Sequence, residues 1–194
     1  MTSPLISGSA VMMAIWTACL PPGVTEQVGT PVSDSESYAV YRALIPTEGP
    51  AGVVKATRII LRQETVTNWT CIPKGRPLQE EWKLVWDDFA QQNSTSRTLE
   101  QGFDLGIPYL LLPSASIERA FKDWTGFYAV YPGSGGFIDV SAVGFDPDKT
   151  RAIAYVAHYC GGLCGGGTHH LMEKRGGQWS HASIKDVQNC TWIS

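Results

Sequence analysis

The first twenty-five residues hold no charged side chain, and no lysine or arginine occurs before Arg42. Elsewhere no basic cluster is denser than the pair Lys174-Arg175, and the net charge is -3. A chain without a positive patch cannot neutralise a run of phosphates, which disfavours nucleic-acid binding. The longest apolar run, "LISGSAVMMAIWTACL" from Leu5 to Leu20, is too short and too rich in glycine and serine for a membrane-spanning helix, which needs about twenty mostly apolar residues. Internal repeats are missing, as are a G-x-S-x-G motif and any cofactor motif. The acidic residues Asp87, Asp88, Asp139, Asp146 and Asp148 are dispersed, as expected of solvated faces and turns.

What is present suits one folded domain. At 194 residues with 43% hydrophobic content, seven tryptophans and seven tyrosines, the chain can bury a single core. Its uncharged start has the texture of an export signal, and "WTAC" before Cys19 resembles a bacterial lipobox, with Trp16 where an aliphatic residue is usual. The expected organisation is an export or lipoprotein signal over 1–19 with Cys19 as lipidation site, a flexible Pro/Gly/Ser/Thr tether over 20–35, and one domain over 36–194. The implied location is periplasmic or extracellular, with membrane contact only through a lipid anchor. Setting Cys19 aside leaves four cysteines, Cys71, Cys160, Cys164 and Cys190, an even number that suits an oxidising compartment. Pairing Cys160 with Cys164 and Cys71 with Cys190 is the first reading, and the crossed pairings stay open.

Along the chain, "ESYAVYRALI" has helical spacing behind a cap at Asp34 or Ser35, and "ATRIILRQET" reads as a strand. "LQEEWKLVWDDFAQQN" places Trp82, Val85, Trp86 and Phe89 on one helical stripe, which is a core signal. A short strand "IPYLLLP" precedes a single helix over "SASIERAFKDWTGFY" capped by Ser114 or Ser116. From Gly136 onward "GFIDVSAVGF", "RAIAYVAHYC", "GTHHLMEKR" and "QWSHASIKDV" read as a four-strand antiparallel meander. The expected class is α+β, with helices on one face of a curved antiparallel sheet.

The C-terminal half, "YPGSGGFIDVSAVGFDPDKTRAIAYVAHYCGGLCGGGTHHLMEKRGGQWSH", resembles a group of uncharacterised bacterial secreted or lipid-anchored proteins. In that group a strand ending in VGF, an acidic turn, a cysteine and glycine loop, and a tryptophan after a glycine turn recur in this order. The resemblance implies export and transfers no activity. A shallower likeness to cystatin-like and nuclear-transport-factor-2-like sheets is an analogy of fold only.

"HYCGGLCGGGTHH" concentrates the chemistry. Cys160, Cys164, His169 and His170, with His158 and His181 near, offer zinc-type ligands, but neighbouring strand side chains point to opposite faces, so His169 and His170 rarely share a metal. A disulfide-closed turn is favoured over a metal site or a cysteine nucleophile paired with His158 or His169. Ser134 in "PGSGGF" resembles the glycine-flanked serine of trypsin-like proteases without its preceding aspartate, and reads as a turn. The N-x-S/T sites at Asn68, Asn93 and Asn189 matter only in a eukaryotic secretory pathway. The remaining candidate is a binding loop of Gly161, Gly162, Gly165, Gly166 and Gly167 with Tyr159 and His169, flanked by Tyr155 and Trp179. The expected function is a non-catalytic envelope binding or accessory role toward a small molecule or an envelope protein, without a cofactor. The alternative is an enzyme or metal-binding protein using Cys160, Cys164 and His169.

Overall fold

The computed structural model describes residues 29–45, 56–68, 80–183 and 191–193. Its elements are β1 (Pro31–Val32), α1 (Ser35–Leu44), β2 (Ile59–Arg62), α2 (Glu80–Gln92), β3 (Thr98–Leu99), β4 (Tyr109–Leu112), α3 (Ser114–Ala120), α4 (Trp124–Val130), β5 (Phe137–Val140), β6 (Gly144–Phe145), β7 (Arg151–Gly161), β8 (Cys164–Arg175), β9 (Gln178–His181) and β10 (Thr191–Ile193). The class is α+β. Cys19, Cys71, Cys190 and Asn189 lie outside the described residues.

The main sheet runs β10-β8-β7-β5-β2-β4, with β6 also on β7 and β9 also on β8. Strands β6 to β9 form the expected antiparallel meander, but β2 lies parallel to both β4 and β5, so the sheet is mixed. The chain reaches β5 from β4 through α3 and α4, a connection long enough to bring it back in parallel. The hairpin between β8 and β9 turns on Gly176 and Gly177, whose φ values of +57° and +81° suit glycine at both central positions.

Helices cover both faces of this sheet, not one. Val40, Tyr41 and Leu44 of α1 pack with Ile59, Leu61, Ala152, Ala154, Val156 and Met172. Trp82, Val85 and Phe89 of α2 pack with Ile153, Tyr155 and Ala157 on the opposite side, beside a cluster of Ile60, Ile117, Phe127 and Phe137 under α3 and α4. Alternate residues of β2 and β7 therefore enter different clusters, which is why their sequences are continuous apolar runs without polar alternation. Each fully buried large apolar side chain contributes about 1.5–3 kcal/mol relative to exposure.

Three local arrangements differ from the sequence pattern for identifiable reasons. Residues 29–35, assigned by composition to the tether, belong to the fold: Val32 is buried, the Thr98 N–H donates to Thr30 O at 3.1 Å, and Asp34 caps α1. The expected single helix after Pro113 breaks in two, because Asp123 accepts the Gly126 N–H at 2.6 Å and starts α4. The expected strand over "GFIDVSAVGF" splits into β5 and β6, since Asn93 from the end of α2 takes both the N–H and the C=O of Ala142. Asn93 is buried in these bonds, so this N-x-S/T position offers its amide to the fold rather than to solvent.

Gly144 permits a close helix–sheet approach. A Cβ there would sit 2.4 Å from the Phe89 Cα and N, so α2 rests directly on the backbone of β6. Asp88 of α2 accepts the Phe145 N–H at 2.7 Å and fixes that contact.

Candidate functional site

The long hairpin of β7 and β8 positions the candidate residues. Its ladder runs from Arg151 opposite Glu173 to Tyr159 opposite Gly165, then resumes with Gly161 opposite Cys164. Cys160 is the extra residue of a β-bulge, and a disulfide joins it to Cys164 with Cα atoms 5.1 Å apart. Gly162 and Leu163 form the turn, and Leu163 is 93% exposed.

Neighbouring elements brace this tip. Tyr128 of α4 donates its hydroxyl to Cys160 O at 2.8 Å. Gly136 has φ +104°, and a Cβ there would lie 1.9 Å from Tyr159 O, so the chain entering β5 is pressed against the bulge where only glycine fits. The His158 imidazole donates through Nε2 to Gly135 O at 2.6 Å, and burial holds its pKa below the ordinary value. Tyr159 stacks on Phe137 with ring centroids 4.9 Å apart.

The glycines are arranged differently from the expected open loop. Gly161 and Gly162 are at the tip, but Gly165, Gly166 and Gly167 are ladder residues of β8, opposite Tyr159, His158 and Ala157. Gly166 and Gly167 also pair with Ile193 and Trp192 of β10. Ladder bonds need only backbone, so a glycine run extends a strand when partners flank it on both sides. Tyr155 and Trp179 are core residues; Trp179 edges the groove beside α1, and its indole donates to Glu36 Oε2 at 3.0 Å.

The proposed ligand cluster comes apart. Both sulfurs are consumed by the disulfide, which removes Cys160 and Cys164 as thiolate ligands or nucleophiles in this form. His169 is buried among Trp86, Phe89 and Tyr155 with ring separations of 5.9, 5.6 and 5.0 Å, and burial pushes its pKa down to about 4. His170 has the parity of Met172 and faces the α1 side, where its Nδ1 lies 3.0 Å from His181 Nε2. Burial, reinforced by His181 and His169, pushes His170 down to about 4. Among the described residues no group of three or more His, Cys, Asp or Glu could hold a metal ion. Ser134 is buried and donates to Tyr131 O at 2.8 Å, as a turn residue does.

One constellation was not legible beforehand. Arg62, at the end of β2, donates through Nε to Asp139 Oδ1 at 2.8 Å and through Nη1 to Ser114 Oγ at 2.9 Å. Ser114 in turn donates its N–H and hydroxyl to Glu64 Oε2 at 2.9 and 2.7 Å. Burial raises the Asp139 pKa while Arg62 opposes it, and burial with Asp139 nearby pushes Tyr159 up to about 12. These groups satisfy one another across the seam between β2, β5 and α3. They come from segments up to 77 residues apart, and the only local signal is a lone acid in the apolar strand "FIDV".

Two surface grooves flank α1. One of about 780 Å³ is lined by Tyr38, Arg42, Glu100, Asp104, Gln178 and Trp179, and is bridged by an exposed Arg42–Asp104 pair at 2.9 Å. The other, about 490 Å³, contains Asp34, Asp88 and Asp146, whose carboxylates are already bonded to Lys149, to Phe145 and Gln92, and to Thr150 and Arg151. No helix among the described residues is long and apolar enough to cross a membrane. Comparison with protein-family models, with curated proteins and with solved structures finds no match.

Proposed function

We propose that this chain is an exported, non-catalytic binding or accessory protein of the bacterial envelope, and that it engages a small molecule or an envelope protein through the tip of the β7–β8 hairpin. The observation that carries the reading is Leu163, 93% exposed on a turn held by a disulfide, a bulge and Tyr128. A large apolar side chain presented on a rigid, glycine-flanked tip loses little conformational entropy when it is buried by a partner, which favours binding. The uncharged N-terminal stretch and the disulfide both suit an oxidising compartment.

A photocrosslinking amino acid placed at position 163 in the expressed full chain tests the reading, with position 84 as control, where Leu84 is 60% exposed on α2. A discrete adduct from position 163 in envelope fractions, absent from position 84, is the expected result. Equal or no labelling at the two positions, or recovery of the protein only from the cytoplasm, refutes it.

A further inference from the structure

Beyond the hairpin tip, and independent of the function proposed for it, the geometry points to a binding site for a divalent late first-row metal ion at the cross-strand pair His170 and His181. We propose that His170 Nδ1 and His181 Nε2 are its two protein ligands, with water in the remaining positions.

The argument begins from register. Met172 pairs with His181 and Lys174 with Trp179, so His181 shares a face with Met172 and stands diagonal to His170. Both rings are carried by paired strands, and the Ala182 N–H donates to Leu171 O at 2.8 Å, holding the chain directly after His181. The two nitrogens are 3.0 Å apart. For metal–nitrogen bonds of about 2.0–2.1 Å, a right-angled pair of ligands spans about 2.9 Å and a tetrahedral pair about 3.3 Å. The observed separation matches cis positions of a square-planar or octahedral ion once each ring turns to aim its lone pair off the N···N line, and a tetrahedral zinc after a further opening of about 0.3 Å.

Protonation agrees with this. A ring nitrogen binds a metal only through a free lone pair, and the 3.0 Å contact between His170 Nδ1 and His181 Nε2 requires that one of the two nitrogens already accept in this way. In the metal-free pair one ring donates its N–H to the other. On binding, the hydrogen bond between the rings is broken: its proton moves to the second nitrogen of the donor ring, both rings turn so that their lone pairs converge on the ion beside the N···N line, and the protein releases no net proton. His181 is exposed, which gives the ion a path from solvent and leaves coordination positions open.

Titration of the full chain with Zn²⁺ in a non-coordinating buffer, followed by long-range ¹H–¹⁵N correlation of the imidazoles, tests the site. The expected result is one equivalent bound, with His170 Nδ1 and His181 Nε2 shifting to the coordinated range while His158 and His169 stay in place. The Tm should rise with free Zn²⁺, since an ion that binds only the folded state stabilises it. His181→Ala and His170→Ala should each weaken binding about tenfold or more, because one imidazole with water is a poor zinc site. His181→Ala alone decides the matter should His170→Ala fail to fold, as His181 is exposed. Unmoved imidazole resonances at about 1 mM Zn²⁺, a concentration that saturates any site of useful affinity, overturn the proposal. Undiminished binding by the His170→Ala/His181→Ala double variant does the same.

Discussion

Removing the disulfide with Cys160→Ala/Cys164→Ala tests whether the bond locks only the tip or holds the hairpin together. The cross-link joins residues four apart, and closing so short a loop restricts the denatured chain by about 2 kcal/mol. For a chain of this size each kcal/mol corresponds to about 2–4 °C, so the Tm should fall by about 4–8 °C. The remaining ladder, from Arg151 opposite Glu173 to Tyr159 opposite Gly165, does not depend on the sulfurs, and Tyr128 bonds the backbone carbonyl of Cys160, which the substitution keeps. Circular dichroism should therefore show an unchanged sheet. Hydrogen exchange should accelerate at Gly161 to Gly165 and not at Ala152 to Val156. Loss of the sheet on removing the bond, or unchanged protection at the tip together with an unchanged Tm, refutes the reasoning.

Gly144→Ala should destabilise by about 3 kcal/mol or more in urea denaturation, because the added methyl meets helix backbone at 2.4 Å and α2 must lift off β6; a loss below about 1 kcal/mol refutes the contact. Arg62→Met leaves Asp139 buried without its partner and should cost about 3–5 kcal/mol, whereas Arg62→Met/Asp139→Leu should recover much of that, measured in the same denaturation series. His169 has a folded pKa near 4 against an ordinary 6.5, so its neutral form contributes stability that is present above pH 6.5 and lost as pH falls toward 4, on the order of 3 kcal/mol. Asp139, raised by burial, acts with the opposite sign, losing stability as pH rises, so the His169 contribution is read as the difference in pH profile between the wild type and His169→Leu. Parallel profiles for the two proteins refute it.

Helix α1 was legible because its cap and its periodic face are local: Asp34 sits directly before the spacing of Tyr38, Tyr41 and Ile45. The α3–α4 break was hidden because "FKDW" has helical composition, and only Asp123 followed three residues later by Gly126 marks the new cap. Parallel pairing of β2 with β4 and β5 has no local signature, although the short apolar centres of "RIIL" and "YLLL" marked both segments as strands. At the site, the Cys160–Cys164 bond followed from spacing and cysteine parity, and the divergence of His169 from His170 followed from strand alternation. The His170–His181 pair needed the register across the Gly176-Gly177 turn, which places two residues eleven apart on one face. Arg62 and Asp139 meet only through tertiary structure.

The two margins of the main sheet bear on how the protein behaves when crowded. On one side β4 is four residues long and is bracketed by Pro108 and Pro113, neither of which can donate a backbone hydrogen bond to an incoming strand. On the other, β8 is fenced by two short strands, with β9 covering Met172 to Arg175 and β10 covering Gly166 to Thr168. Among the described residues, each margin of the sheet therefore offers a foreign chain only a brief stretch of unpaired backbone, which gives edge-to-edge pairing little template to grow from.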